Sequence, residues 1–183
     1  MINKEHENEL IDRIKNGDSA AFKDFVQLHE KTLANVVIGM LGNCPEAEDV
    51  AQEAFIKFYY NINKFRKEAS AKTYLTRIAI NLSLNELKKR GLQRERYTSL
   101  EDFKSFEGKR FENHDNFDLK DLIETELQKL EGSQRSVFVL RMIEGYSTKE
   151  TAKILRIPEG TVLSRLHRTL EILKVRLKAY KIY

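Results

Sequence analysis

Apolar residues recur along this chain at the three-to-four-residue spacing of amphipathic helices. After Gly17, with Asp18 or Ser19 as N-cap, Phe22, Phe25, Val26, Leu28, Leu33, Val36, Val37 and Met40 mark one helix, which stops at Gly42-Asn43. A shorter helix around Glu9–Lys15 precedes it. Pro45 suits the first turn of the next helix, and Glu46, Glu48 and Asp49 complement its positive N-terminal end. Val50, Ala54, Phe55, Phe58 and Ile62 form its expected buried stripe. The polar stretch Arg66–Ser70 then leads into a long helix from about Ala71 to Arg90, with Ser70 as N-cap. Its apolar positions are Tyr74, Leu75, Ile78, Leu82, Leu84 and Leu87. Helices of this length make one compact three- or four-helix bundle.

The periodicity collapses between about Glu95 and Phe117, where acidic residues alternate with isolated phenylalanines. That composition reads as a linker, either a plain tether or a segment that orders on a partner. Helical patterning returns over Leu119–Leu130, Ser133–Ile143, Ser147–Leu155 and from Pro158 to about Ala179. The expected architecture is all-α in three parts. Residues 1–94 form an N-terminal bundle, 95–118 a flexible linker, and 119–183 a C-terminal four-helix domain.

Composition supports helices: the 183 residues include two prolines, eight glycines and no tryptophan. A single cysteine, Cys44, excludes an internal disulfide, and His6, His29, His114 and His167 lie too far apart in sequence to suggest a metal site. No cofactor or metal is expected. The polar, acidic N-terminus is unlike a signal peptide, and no run approaches the ~20 apolar residues of a membrane span. A cytoplasmic protein without membrane insertion is expected.

Charge is more informative in blocks than in the net value of +4. Residues 1–60 carry 6 basic and 11 acidic side chains, and residues 61–96 carry 10 and 3. Residues 97–132 carry 5 and 10, and residues 133–183 carry 11 and 4. A single basic block is explained by a solvated helix face. Two such blocks, each coinciding with a motif, point to two separate contacts with a polyanion.

The second basic block contains YSTKETAKILRIPEGTVLSRLHRTLEILK. Ser147 and Glu150 have the spacing of a capping box, Ala152 and Leu155 are expected to face inward, and Ile157-Pro158 turns the chain into a second helix. This is the layout of a helix-turn-helix, whose second helix enters the DNA major groove. Val162, Leu166, Leu170 and Leu173 fall at burying positions, while Thr161, Ser164, Arg165 and Arg168 fall on another face. Arginine can grip guanine edges or phosphate through paired hydrogen bonds. An amphipathic hairpin with a basic solvent face would show some of the same pattern. Arg156 occupies the turn where glycine is easiest, since a left-handed residue with a side chain is strained.

With these residues in view, the sequence resembles the sigma-70 family, in particular its compact extracytoplasmic-function group. Three stretches carry the resemblance in the family's order: EAEDVAQEAFIKFYYNINKF at 46–65, FRKEASAKTYLTRIAINLSLNELKKR at 65–90, and the C-terminal motif. It implies an alternative sigma factor that binds core RNA polymerase through the β′ and β subunits and has no enzymatic activity. Asp49, Gln52, Glu53, Phe55 and Ile56 match the surface that grips the β′ coiled coil. Phe65, Arg66, Lys67, Ser70, Tyr74, Arg77 and Asn81 match the part that recognises and melts the −10 element and holds unpaired non-template bases. Lys88, Lys89 and Arg90 correspond to phosphate contacts, and Thr161, Leu163, Ser164, Arg165 and Arg168 to the −35 reader of duplex promoter DNA.

Departures from the family pattern are Tyr74 for a tryptophan, Asn85 for an aspartate, and Leu163 where a basic residue is common. Members of the group are commonly held by an anti-sigma protein, which the resemblance implies as a partner. Two other classes remain to be separated from this reading. An autonomous helix-turn-helix regulator would bind duplex DNA without polymerase and would need a dimerisation surface. An enzyme would need a nucleophile–base pair, a metal cluster or a glycine-rich phosphate loop, and the sequence offers none.

Overall fold

The computed structural model of the chain describes residues 4–65, 70–98, 119–178 and 180. Among the described residues there are eight α-helices and no strand. The N-terminal bundle comprises α1 (Lys4–Lys15), α2 (Ser19–Leu41), α3 (Pro45–Tyr60) and α4 (Ala71–Thr98). The C-terminal part comprises α5 (Leu119–Gln128), α6 (Gly132–Phe138), α7 (Thr148–Leu155) and α8 (Glu159–Lys178). The expected linker lies almost wholly outside the described residues.

Each N-terminal helix starts and stops for a local reason. Asp18 caps α2, its Oδ1 accepting from the N–H groups of Ala20 at 2.9 Å and Ala21 at 3.1 Å. Gly42 closes α2 with φ +82, its N–H donating to the Ile38 carbonyl at 2.8 Å. Pro45 occupies the first turn of α3. Ser70 caps α4, its hydroxyl accepting from the Thr73 N–H at 3.1 Å.

The expected stripe of α3 is the observed one: Val50, Ala54, Phe55, Phe58 and the following Ile62 are all buried. The Phe25 and Phe58 rings stack with centroids 4.5 Å apart and planes at 12°, joining α2 to α3. Leu75, Ala79 and Ile80 close the core from α4, and Leu10, Ile11 and Ile14 from α1.

Several boundaries and faces differ from expectation. Helix α1 begins at Lys4 rather than near Glu9, and α4 continues to Thr98, past the expected end at Arg90. On α7 the buried residues are Thr151 and Ile154, with Ala152 and Leu155 half-buried. On α8 Thr169 is buried and Leu170 exposed, because positions 162, 166, 169 and 173 run straighter along a 3.6-residue helix than a stripe through 170. The expected helix Ser133–Ile143 is two pieces, since a wider turn over Val139–Ile143 follows α6, with the Glu144 N–H reaching the Val139 carbonyl at 2.9 Å.

The two halves share one apolar core. Val139, Leu140, Tyr146 and Ile154 are buried together with α2 and α4. A Cβ on Gly39 would lie 2.9 Å from Val139 Cγ2, so glycine permits this close approach. The Tyr146 and Thr76 hydroxyls hydrogen-bond at 2.9 Å in the buried contact, and Lys72 Nζ sits 5.3 Å from the Tyr146 ring centroid. Burial raises the Tyr146 pKa to about 12, so the phenol stays neutral. Arg135, itself buried, donates to the Met40 carbonyl of α2 at 2.5 Å and to Gln128 and Leu130 within its own half. Burial and the charge of Arg90 lower its pKa to about 10. A smaller cluster of Leu127, Leu130, Phe138 and Leu173 holds α8 on α5 and α6.

Candidate nucleic-acid interface

Helix α3 buries one face and presents another. Asp49, Gln52, Glu53 and Ile56 are exposed and recur at helical spacing, whereas Phe55 turns into the core. Ile56 is 52% exposed, and Glu53 pairs with Lys57 at 2.8 Å. Tyr60, 78% exposed one turn beyond Ile56, continues this face. The sequence reading had not singled it out, although its spacing from Gln52, Glu53 and Ile56 places it there.

The start of α4 is built on aromatic rings. Tyr74 lies 5.3 Å from Phe65 and 5.8 Å from Phe58 between centroids, and Arg77 Cζ sits 5.0 Å above the Tyr74 ring. Phe65 is only 6% exposed, and its carbonyl accepts from Lys15 Nζ at 3.0 Å. Its ring therefore supports Tyr74 from below rather than facing solvent. Tyr74, Arg77 and Asn81 fall on one side of α4, with Asn81 exposed. Arg66 and Lys67 lie outside the described residues.

A residue from α1 reinforces this helix start. Glu7 is buried, its Oε1 accepting from the Lys72 N–H at 3.3 Å and lying 3.2 Å from His29 Nε2. Burial alone would raise the Glu7 pKa. The His29 imidazole and the Lys72 and Ala71 N–H groups outweigh it and hold the carboxyl below its ordinary 4.5.

Farther along α4, Lys88 and Lys89 are exposed. Arg90 is occupied within the fold. Its guanidinium reaches the Leu41 carbonyl at 3.3 Å, Cys44 Sγ at 3.2 Å and Glu46 at 3.4 Å, tying α4 to the α2–α3 turn.

In the C-terminal half, the expected capping box is present. Ser147 Oγ accepts from the Glu150 N–H at 3.2 Å, and Glu150 Oε2 accepts from the Ser147 N–H at 2.8 Å. The Ser147 hydroxyl, donating to Glu150 Oε2 at 2.6 Å, and then the Ser147 N–H hold the Glu150 carboxyl below its ordinary pKa. Arg156 ends α7 at φ 55 and ψ 46, the left-handed conformation, which strains a residue bearing a side chain by roughly 1 kcal/mol. Ile157 and Pro158 then lead into α8.

Thr161, Ser164, Arg165 and Arg168 lie on one face of α8, with Ser164 and Arg168 exposed and Thr161 and Arg165 half-buried. Leu163 is 55% exposed but does not join them. At 100° per residue it sits about 140–160° around the helix from Thr161, Arg165 and Arg168, and about 100° from Ser164. It shares its flank with exposed Leu170 and His167. A groove of about 350 Å³ separates α7 from the start of α8, lined by Lys149, Lys153 and Arg156 as well as by Pro158 and Glu159. Among the described residues no His, Cys, Asp and Glu cluster is arranged to hold a metal ion. No helix there is long and apolar enough to cross a membrane.

These surfaces coincide with two family models. Residues 25–93 match Sigma-70 region 2, and residues 120–173 match Sigma-70, region 4. The RNA polymerase sigma-H factor of Pseudomonas aeruginosa is 34% identical over 180 residues, covering 93% of each chain. The ECF RNA polymerase sigma factor SigW of Bacillus subtilis is also 34% identical over 180 residues, covering 92% of this chain and 95% of that one. The ECF RNA polymerase sigma-E factor of Escherichia coli K12 is 32% identical over 177 residues, covering 88% and 89%.

Two solved structures share the fold. CnrH in complex with the cytosolic domain of CnrY superposes with a TM-score of 0.67 at 23% identity, covering 95% of this chain and 98% of that one. RpoE bound to the anti-sigma factor NepR from Bartonella quintana gives 0.67 at 24% identity, covering 86% and 96%. With both region models matched in order and relatives of one-third identity spanning nearly its whole length, the chain belongs to the sigma-70 family, among the extracytoplasmic-function (ECF) sigma factors.

Proposed function

We propose that this ECF sigma factor acts in the cytoplasm, carrying core RNA polymerase to promoters through one protein-docking face and two DNA-reading faces. It performs no bond chemistry of its own. The observation that carries the reading is that one small bundle presents two faces, the exposed Asp49–Gln52–Glu53–Ile56 face of α3 and a side of α4 where half-buried Tyr74 and Arg77 lead to exposed Asn81. The first face is acidic and apolar, suited to protein rather than DNA. The second combines an aromatic ring, a cation and an amide, groups that stack on and hydrogen-bond to unpaired bases. Phe55 and Phe65 serve these faces as buried supports. The α8 face of Thr161, Ser164, Arg165 and Arg168 reads the −35 element, with residues 1–94 and 119–183 as the two working parts.

Geometry requires a rearrangement on the polymerase. Elements named −10 and −35 lie about 25 base pairs apart, roughly 85 Å of duplex at ~3.4 Å per pair. In the closed arrangement α6 and α7 each pack against both α4 and α8, which puts those two helices within about 20 Å at the usual spacing of packed helices. The halves must therefore part before both elements can be read together. An anti-sigma partner would act on the same equilibrium.

The deciding experiment is transcription in vitro from fragmented genomic DNA by core polymerase, with and without the protein. New, specific start sites that require the protein are expected. Failure to associate with core polymerase, or an unchanged set of transcripts, overturns the proposal.

A further inference from the structure

Arg156 is the only non-glycine residue with positive φ among the described residues. Strain of this kind persists only where the surrounding structure holds it in place, and it clusters at functional sites. Arg156 follows Lys149 and Lys153 at positions i, i+4 and i+7, so the three cations share the outer face of α7, opposite buried Thr151 and Ile154. All three are exposed, and they line the groove between α7 and the start of α8. Glu159 is the one carboxylate in that lining, leaving an excess of positive charge.

The position of this groove defines its ligand. A recognition helix enters the major groove by its N-terminal end while the preceding helix crosses the backbone. The major groove is about 12 Å wide and a helix with side chains measures about 10–12 Å across, so residues just before α8 stand against the sugar–phosphate wall. We infer that Arg156, with Lys153 and Lys149, grips the phosphates that flank the −35 element. This inference rests on the −35 reading of α8 and adds a contact independent of base sequence. Arginine in the left-handed position aims a guanidinium at the backbone where glycine would aim nothing.

The test uses full-length protein assembled with core polymerase, titrated onto a labelled promoter fragment at several salt concentrations. The variants are Arg156→Gly, Arg156→Gly with Lys149→Gln and Lys153→Gln, Arg165→Ala, and Lys174→Gln, which lies on another flank of α8. Each lost phosphate contact should reduce the slope of log affinity against log salt by about 1, so the wild-type advantage shrinks roughly threefold per contact between 50 and 200 mM. The loss should be equal on fragments with intact and scrambled −35 sequences, and Lys174→Gln should leave the slope unchanged. Free Arg156→Gly protein should melt at a higher temperature than wild type, which separates lost binding from lost folding. An unchanged slope in the triple variant, with Arg165→Ala still weakening binding, overturns the phosphate grip alone. If Arg165→Ala and scrambling the −35 sequence are also without effect, the reading of α8 falls with it.

Discussion

The Tyr146–Thr76 hydroxyl pair gives a direct handle on closure. The two groups come from opposite halves, meet at 2.9 Å, and are buried. A neutral buried hydrogen bond contributes a net of about 0.5–1.5 kcal/mol. Tyr146→Phe and Thr76→Val each remove one hydroxyl while nearly conserving shape, and a double-mutant cycle isolates the shared term. Urea unfolding of the four free proteins should yield a coupling within that range. If closure must break before polymerase is engaged, the apparent affinity for core polymerase is reduced by the scarcity of the open form. Weakening the clasp by 0.5–1.5 kcal/mol should therefore tighten polymerase binding about 2- to 13-fold. Competition binding with labelled sigma factor measures this. Both single variants must tighten binding, because one lies on each side of the contact. Zero coupling, or weaker polymerase binding by both variants, refutes the reasoning.

Arg135→Met should destabilise the free protein by about 3 kcal/mol or more in urea unfolding, since it strands buried acceptors at Met40, Gln128 and Leu130. Arg165→Ala or Arg168→Ala should weaken binding of the holoenzyme to a −35-dependent promoter by about 1–3 kcal/mol where the arginine reads a base, measured by equilibrium DNA titration. The depressed pKa of Glu7 makes stability depend on acid. Its contribution is present above the ordinary 4.5 and is lost as pH falls through the lower folded value. Thermal melts should show wild type losing stability below about pH 4.5 more steeply than Glu7→Gln.

The buried stripe of α3 was legible because Val50, Ala54, Phe55 and Phe58 fall on one side of the helix. The end of α4 was not, since residues 91–98 are mainly polar and lack an apolar period to announce a helix. Thr169 was passed over for Leu170 because hydrophobicity outranked phase. Phe65, beside a basic loop, reads equally as a base-stacking ring or as core. Only its packing on Tyr74 and Phe58 distinguishes the two. Likewise, the helical patterning over Ser133–Ile143 gave no sign that Val139 and Leu140 belong to the core of the first half. Their partners lie about a hundred positions earlier, at the end of α2. Of the site residues, the α8 face followed from periodicity, whereas Asp49, Gln52 and Glu53 of α3 came from the family resemblance. Arg90 is held by contacts to a turn distant in sequence, and its position gave no sign of them.

Gly39 places helix stability and closure in opposition. Inside α2 an alanine would favour the helix by about 1 kcal/mol over glycine. The added methyl would act as a wedge, 2.9 Å from a Val139 methyl across the seam. A single hydrogen atom at this position thus lets a less than ideal helix keep the molecule shut, and one methyl group is enough to set the firmness of the first half against its grip on the second.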